Sequence, residues 1–285
     1  MAEITQKAYA KINLSLDVCG KREDGYHEVS MVMHQISLAD TVTLSLNNSG
    51  NIVLSSNSDK IPLNEKNLAY KAAKLMIDTF NLKNGFDIFV DKKIPVAGGL
   101  AGGSTDAAAV LSLINKALNL NLDTSKLMEI GLKLGADVPY CIFSHPALAE
   151  GIGERLTKIS GLPMCNILIV NPCEEVSTKE VYDKIDSVEN KNVVDNNKLI
   201  SCLSNNDLVG ACSYMENVMQ PVSSTLCTKI PSIIDKIKEL GAIHAMMSGS
   251  GATCFGIFNT DISLTDAKNS FPGYIVELAT PHYGN

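Results

Sequence analysis

The stretch Pro95-Val96-Ala97-Gly98-Gly99-Leu100-Ala101-Gly102-Gly103-Ser104-Thr105 carries four glycines and leads directly into a helical pattern of apolar residues. Glycines let the backbone approach a ligand closely, and the N–H groups and dipole at the start of a helix attract an anion. Gly98 and Gly103 have the spacing of a Walker A loop, but Ser104 stands where that loop requires lysine, and no reading frame fits G-x-G-x-x-G. The residues alone leave two interpretations open, a phosphate-binding loop of another kind and a tight strand-to-helix turn.

The segment 7–16 alternates strictly between apolar and other side chains, which predicts a strand. Lys11 and Asn13 fall on the same side of that strand and could therefore act on one ligand. A lone lysine on a strand is, however, commonly solvated, and that interpretation also stays open. The apolar face consists of Ala8, Ala10, Ile12, Leu14 and Leu16, and the other face of Tyr9, Lys11, Asn13 and Ser15.

Three further motifs combine groups that are suited to chemistry. In Gly135-Ala136-Asp137-Val138-Pro139-Tyr140, Asp137 is either a functional carboxylate or the N-cap of the next turn. In segment 21–28, Tyr26 is suited to stacking on a base and His27 to hydrogen-bonding its edge, but a charged surface turn explains the segment equally well. Segment 248–252 is a second glycine-rich turn that could close over a polyphosphate. It does not satisfy G-x-S-x-G, so a hydrolase triad is poorly supported.

The rest of the pattern mixes strands and helices without regular alternation. The polar, asparagine-rich residues 183–207 are predicted to form a surface excursion. This order of elements favours an α+β fold over a doubly wound parallel sheet. Strands are predicted near 29–36, 41–46, 86–90, 166–170, 253–258 and 274–278, and helices near 67–82, 104–118, 125–134 and 231–240.

Composition bounds the class of protein. The 285 residues are 45% hydrophobic and 19% charged, which predicts about two globular domains. The net charge of −7 argues against a general nucleic-acid binder, so local groups must hold any anionic substrate. Eight scattered cysteines without a C-x-x-C pair indicate small core residues in a reducing compartment rather than zinc ligands. Neither a secretory signal nor a membrane-length apolar run is evident, so we expect a soluble, cytoplasmic protein.

Together these motifs resemble those of the GHMP kinase superfamily over nearly the whole chain. Ala10-Lys11-Ile12-Asn13-Leu14 looks like the first motif of that superfamily, residues 95–105 match its ATP loop, and residues 247–252 match its third motif. Residues 22–27 and 135–139 narrow the resemblance to members that act on a diphosphocytidyl sugar alcohol. The resemblance implies a two-domain α+β fold. Residues 1–160 would form an ATP-binding domain like the second domain of ribosomal protein S5, and residues 161–285 a ferredoxin-like domain.

The resemblance also implies an activity, which is phosphorylation by ATP and Mg²⁺ of the 2-hydroxyl group of that alcohol in non-mevalonate isoprenoid biosynthesis. Lys11 and Asp137 match the catalytic pair, and the substrate site is matched by Asn13, Tyr26 and His27. ATP binding is matched by residues 95–105 and, more loosely, by Asn67 and Lys92, with Ser104 as a candidate Mg²⁺ ligand. Ala101 and Thr105 stand where many relatives carry Gly and Ser, a departure that affects only fine loop geometry.

Other functions stay open at this point. The chain could be a GHMP kinase of the homoserine or mevalonate type, or the related mevalonate diphosphate decarboxylase. It could also be a non-catalytic nucleotide-binding or RNA-interacting module, since the same fold occurs in the ribosome. We expect a small-molecule substrate, a monomer or weak homodimer, and neither a membrane nor a nucleic-acid partner.

Overall fold

The computed structural model describes residues 3–186 and 194–284. The strands of the described residues are β1 (Ile4–Lys21), β2 (His27–Asn47), β3 (Ile52–Ser56), β4 (Gly85–Asp91), β5 (Ala147–Gly151), β6 (Arg155–Lys158), β7 (Asn166–Asn171), β8 (His244–Met247), β9 (Cys254–Phe258), β10 (Ile275–Ala279) and β11 (Pro281–His282). The helices are α1 (Leu68–Phe80), α2 (Gly102–Ala117), α3 (Thr124–Leu132), α4 (Asp137–Phe143), α5 (Thr178–Ile185), α6 (Asn196–Ser204), α7 (Leu208–Ser213), α8 (Gln220–Leu226), α9 (Lys229–Glu239) and α10 (Leu264–Ser270).

The chain forms two compact units that are not successive stretches of sequence. The first unit contains the residues up to Ala10, Ala39–Val96 and Ala101–Ser144, and the second contains Lys11–Leu38, Ala97–Leu100 and the residues from His145 onward. Strands β1 and β2 each contribute one part to either unit. The domain division at 160–161 concerns the family's domains and stays a prediction.

In the first unit, a small sheet is covered by helices. The carboxyl-terminal part of β2 pairs antiparallel with β4, and β3 pairs parallel with β4. Alternate apolar residues of β2 and β4 are buried because one face of this sheet packs on the core. Helix α2 packs against α1, α3 and α4 and is buried along most of its first three turns, which the alanine run at 107–109 permits.

The second unit contains two sets of paired strands. The amino-terminal part of β2 pairs with β5, which pairs with β6, and β11 also pairs with β2. A separate antiparallel sheet has the order β10-β7-β9-β8. Helix α9 packs on this sheet through Ile233 and Ile237, and Gly256 in β9 allows the close approach because a Cβ there would lie 2.2 Å from Ile237 Cγ2. The mixed arrangement confirms the predicted α+β class.

Several predicted elements differ from the structure. The strands expected at 29–36 and 41–46 are one continuous strand, β2, because different partners pair with its two parts. The surface excursion expected at 183–207 is partly wrong, since α6 buries Leu199 and Leu203. Residues 187–193 of that stretch lie outside the described residues. Helix α9 begins at Lys229, before the expected Pro231.

Over residues 3–186 and 194–284, no helix is both long enough and apolar enough to cross a bilayer.

Candidate active site

Lys11 and Asn13 lie on β1 with buried side chains. Lys11 is 4% exposed and Asn13 is fully buried, so the interpretation of Lys11 as a solvated lysine is wrong. The Lys11 ammonium donates to Asn13 Oδ1 at 2.7 Å, and Asn13 Nδ2 donates to Met31 Sδ at 3.1 Å. A buried ammonium that donates to a neutral amide keeps most of its charge uncompensated. An anionic ligand would therefore stabilise it.

The two glycine-rich turns at 97–100 and 248–251 contact each other within the second unit. Ser248 Oγ donates to the Gly99 carbonyl at 3.0 Å and accepts the N–H of Asn13 at 3.4 Å. Gly99 has φ +76°, and a Cβ at this position would lie 2.2 Å from the Ser248 carbonyl oxygen. Only glycine therefore permits this approach. The structure places the second turn beside part of the predicted ATP loop.

Lys11 contacts both turns. Its backbone N–H donates to the carbonyl of Leu100, the last residue of the first turn, at 3.1 Å. On the second turn, a Cβ at Gly249 would lie 3.5 Å from Lys11 Nζ. Gly249 itself has φ +59°, a conformation that favours glycine. The second turn thus lies beside the buried ammonium at a glycine, and the first turn is bonded to the backbone of the same lysine.

In the first unit, the amino terminus of α2 is open to an anion. Its N-cap residue Ala101 has φ +58° and makes no side-chain cap hydrogen bond, whereas Asn67 and Asp123 cap α1 and α3 through their side chains. The first N–H groups of a helix have no partner within the helix. Those of α2 therefore present donors and the positive end of the dipole, with the half-buried Ser104 in the first turn.

The left-handed φ of Ala101 is a conformation that glycine adopts more readily than alanine. An alanine in this region is strained by about 1–2 kcal/mol through its Cβ, whereas a glycine is not. Glycine would therefore suit the backbone better at this position, while Ala101 still permits the turn. Thr105 is buried, and its N–H donates to the Ala101 carbonyl at 2.9 Å as the first bond of the helix.

A buried ionic cluster precedes the glycine-rich stretch. It consists of Asp40, Lys92 and Asp106, whose side chains are at most 6% exposed. Lys92 Nζ donates to Asp106 Oδ2 at 2.9 Å and also to Asp40 Oδ2. Asp40 Oδ1 accepts the N–H groups of Lys93 at 2.5 Å and Ile94 at 2.8 Å. The cluster therefore ties the chain that enters the glycine-rich stretch to helix α2, and it engages the ammonium predicted to contact ATP.

The charges of this cluster are not balanced. Burial alone lowers the pKa of Lys92, but the charges of Asp106 and Asp40 outweigh it and raise that pKa. The pKa of Asp106 is raised by burial and by Asp40, against the opposing charge of Lys92. Asp106 Oδ1 has no hydrogen-bond partner in the described part of the chain, whereas Asp40 accepts from three groups. Asp106 is thus the carboxyl group that takes up a proton most readily.

Asp137 and Asn67 occupy helix starts in the first unit. Asp137 is the first residue of α4 and Ala136 is its N-cap, so the prediction of Asp137 as an N-cap is wrong. The Asp137 carboxylate is half-buried at the positive end of this short helix. Asn67 caps α1 by accepting the Ala69 N–H at 2.9 Å, and its Nδ2 donates to the Pro62 carbonyl at 2.8 Å. Both polar ends of Asn67 are therefore engaged with the protein.

Tyr26 and His27 differ sharply in exposure. Tyr26 is 60% exposed and His27 only 7%. His27 Nε2 lies 2.7 Å from Asp186 Oδ1, and its ring stacks on Tyr182 with centroids 4.8 Å apart. The other oxygen of Asp186 accepts from Lys21 at 3.2 Å. The exposed Tyr26 ring can stack on an aromatic ligand, while Asp186 and Tyr182 hold the His27 ring in place.

The predicted site residues are distributed over the two compact units. Lys11, Asn13 and residues 97–100 meet in the second unit, with Tyr26 and His27 in the same unit. Asn67, Lys92, Ser104 and Asp137 belong to the first unit. Sequence reasoning missed Asp40, Asp106, Tyr182 and Asp186. Asp106 lies only one residue beyond the glycine-rich stretch, but no motif signalled the other three.

Comparison with known proteins identifies the relatives of this chain. Models of the GHMP kinases N terminal domain and the GHMP kinases C terminal domain match residues 67–145 and 199–274. A 4-diphosphocytidyl-2-C-methyl-D-erythritol kinase of Clostridium botulinum (strain Eklund 17B / Type B) is 48% identical over 89% of this chain and 90% of its own. One of Clostridioides difficile (strain 630) is 46% identical over 95% and 92% of the two chains, respectively.

Solved structures give the same picture. A crystal structure of 4-(cytidine 5'-diphospho)-2C-methyl-D-erythritol kinase has a TM-score of 0.83 at 28% identity and covers 99% of this chain and 100% of its own. Homoserine kinase from Cytophaga hutchinsonii has a TM-score of 0.77 at 18% identity, over 100% and 96% of the two chains, and this likeness shows the fold alone.

Proposed function

Because the chain belongs to the GHMP kinase family, and within it to the 4-diphosphocytidyl-2-C-methyl-D-erythritol kinases, we propose which of its residues carry out the reaction. It is an ATP-dependent small-molecule kinase, as the sequence predicted. It transfers the γ-phosphoryl group of ATP to the 2-hydroxyl group of 4-diphosphocytidyl-2-C-methyl-D-erythritol, giving the 2-phosphate and ADP. This step belongs to non-mevalonate isoprenoid precursor biosynthesis.

The observation that best supports this proposal is the buried ammonium of Lys11. It donates to the neutral Asn13 amide at 2.7 Å and lies beside the glycine-rich turn that contains Gly249. Phosphoryl transfer depends mainly on positioning and on charge stabilisation, since negative charge spreads over the transferred group. A fixed positive charge whose hydrogen-bond acceptor is a neutral amide is suited to this task. We assign Lys11 to stabilising the phosphoryl group during transfer.

We assign ATP phosphate binding to residues 95–105. The open amino terminus of α2 supplies N–H donors and the helix dipole, which allows a protein of net charge −7 to bind an anionic nucleotide. The half-buried Ser104 hydroxyl is an oxygen ligand of the kind that Mg²⁺ takes alongside phosphates. Mg²⁺, when bound, neutralises phosphate charge. Asn67 and Lys92 are the looser assignments to ATP because the protein already occupies their polar groups.

Asp137 is assigned as the group that takes the proton of the substrate hydroxyl. A carboxylate is suited to this role when it is held within hydrogen-bond reach of the hydroxyl. At the start of α4 the carboxylate is half-buried. The N-cap residue of this helix makes no side-chain cap hydrogen bond. The negative charge is favoured there by the positive end of the helix dipole. Asp137 thus combines a basic oxygen with an orientation fixed by secondary structure.

The cytidine end of the substrate is assigned to Asn13, Tyr26 and His27. The exposed Tyr26 ring offers a face on which a base can stack. His27 has a ring orientation set by Asp186 and Tyr182 and is suited to reading the edge of the base. Asn13 orients Lys11 through its side-chain oxygen.

The proposal extends to organisation and location. We divide the family domains at 160–161 and expect a monomer or weak homodimer that binds no nucleic acid. All eight cysteines are free thiols, which supports a reducing compartment such as the cytoplasm.

The deciding experiment measures ADP release with Mg-ATP on three alcohols: diphosphocytidyl-methylerythritol, mevalonate and homoserine. We expect turnover with the cytidylyl compound only. Turnover with another alcohol would retain the ATP loop and Asp137 but refute the cytidine site. Binding of ATP without turnover of any alcohol would favour a non-catalytic nucleotide-binding module.

A further inference from the structure

We propose that Asn217 is a positioning residue for phosphoryl transfer, because its buried side chain holds the turn 247–251 against Lys11 and the 97–100 turn. This inference rests on the proposed function of Lys11. Asn217 itself touches neither of these groups directly, and it lies in the connection between α7 and α8.

The side chain of Asn217 is satisfied by three hydrogen bonds. It is 1% exposed, and its Nδ2 donates to the carbonyls of Met247 at 2.9 Å and Gly249 at 2.8 Å. Its Oδ1 accepts the N–H of Met219 at 3.0 Å. One amide therefore holds two carbonyls of the turn and is itself oriented by its own connection. No other residue type has two donors and an acceptor in this compact geometry, apart from the longer glutamine.

The backbone around Asn217 is anchored to β1, the strand that carries Lys11. The N–H of Leu16 donates to the Glu216 carbonyl at 2.8 Å, and the N–H of Val218 donates to the Leu16 carbonyl at 3.0 Å. Asn217 thus links the turn to β1, the same strand that carries the Lys11 ammonium. A shift of the turn relative to Lys11 would break one of these two sets of bonds.

The turn needs such an external support because of its glycines. Gly249 and Gly251 both have positive φ, and glycine loses more backbone freedom on ordering than any other residue. Ser223 Oγ holds the Ser250 carbonyl at 2.9 Å, and Gln220 Oε1 accepts the Met247 N–H at 2.9 Å. Among the described residues, only Asn217 hydrogen-bonds through its side chain to Gly249, the glycine beside Lys11 Nζ.

The consequence reaches the site through Ser248. This residue links Gly99 to Asn13 through its hydroxyl, and Asn13 in turn accepts from Lys11. Loss of the Asn217 amide would leave two carbonyls without their donor and let the turn move. A misplacement of about 1 Å far from the chemistry can lower a rate about 100-fold. We therefore expect a defect in the kcat of the folded protein, in addition to the lower stability that two unpaired carbonyls cause.

The test compares Asn217→Ala with Asn115→Ala. Both variants lose an asparagine side chain that makes hydrogen bonds to the backbone, and Asn115 ties α2 to the connection that follows it. Asn115 exchanges two hydrogen bonds of 3.0 Å with Leu122 and makes none with the turns. We expect Asn217→Ala to lower kcat about 10- to 100-fold under conditions where it is folded, with smaller changes in KM. Asn115→Ala should keep the wild-type kcat. A wild-type kcat for Asn217→Ala, or an equal loss in the control, would overturn the proposal.

Amide hydrogen exchange provides a readout that does not depend on catalysis. We expect faster exchange in peptides covering 247–251 and 97–100 of Asn217→Ala, and wild-type exchange there in Asn115→Ala. If the alanine variant fails to fold, Asn217→Ser, which keeps one donor, is measured in its place. Unchanged exchange at both turns would refute the role. If the wild type turns over none of the alcohols, the proposed function fails, while the exchange data still decide whether Asn217 holds the turns.

Discussion

Replacement of Lys92 by methionine tests whether the Asp40–Lys92–Asp106 cluster holds the entry to the glycine-rich stretch. The substitution keeps the length and apolar stem of the side chain and removes only the ammonium. Asp40 and Asp106 would then be buried without their cation, with side chains at most 5% exposed. Removing one partner of a buried ion pair costs about 3–5 kcal/mol, because the remaining charge is uncompensated. We expect a loss of that size in the free energy of unfolding at pH 7.

The loss should shrink in acid. Without the ammonium, the pKa of Asp106 rises further, since Lys92 is the group that lowers it in the wild type. A carboxyl group with a raised pKa in the folded state contributes stability below its unfolded pKa and loses that contribution as the pH rises through the folded pKa. Lys92→Met should therefore be closer to the wild type at pH 5 than at pH 8.

Denaturant unfolding at several pH values measures both effects. Lys93→Met is the control, because its side chain is exposed and such surface changes alter stability by about 0.5 kcal/mol or less. The double variant Lys92→Met/Asp106→Leu should recover part of the loss, since it removes one of the two unpaired carboxylates, while Asp40 keeps the hydrogen bonds from two backbone N–H groups. A loss below about 1 kcal/mol for Lys92→Met, or one equal to that of Lys93→Met, would refute a stabilising role for this cluster.

Three further outcomes are expected. Asp137→Asn should lower kcat by about 10²- to 10⁴-fold, the range for a positioned base, with little change in ATP binding. Wild-type turnover of this variant would remove Asp137 from the mechanism. The control is Asp78→Asn, on the exposed surface of α1. Tyr26→Ala should weaken binding of the cytidylyl substrate by about 1–3 kcal/mol through lost stacking, and an unchanged KM for that substrate would contradict this role. Asp106→Asn should flatten the decline in unfolding free energy that the raised pKa of Asp106 causes as the pH rises. Denaturant unfolding between pH 5 and 8 checks this, and an unchanged slope would show that Asp106 does not titrate there.

Much of the fold could be predicted because local patterns agree with it. Helix α1 begins one residue after Asn67, which caps it, and α2 begins within the glycine-rich stretch where the helical pattern starts. The alternation of 7–16 lies wholly within β1. The continuity of β2 could not be predicted, since the strand passes through both units and depends on β4 and β5, which are distant in sequence.

The candidate site also has features that the sequence indicates and features that it does not. Glycine spacing and the residue types at 11, 13, 26, 27 and 137 were sufficient to indicate a GHMP kinase by resemblance. The partners of those residues were not visible, because His27 and Asp186 are separated by 159 positions and Lys92 and Asp40 by 52. Sequence patterns report on neighbours along the chain, while hydrogen bonds and ion pairs depend on which chain segments meet.

The sequence by itself determined where this protein can turn tightly, that helices follow Asn67 and the glycine-rich stretch, and which residues carry charge. These properties depend on glycine's freedom, on capping side chains and on apolar periodicity, all of which act over a few residues. The tertiary structure alone decided that Lys11 is buried on a neutral partner, that Lys92 is held by two carboxylates and that Asn217 supports the second turn. Burial and charge compensation arise only when distant segments exclude water together, which is why they could not be seen in the sequence.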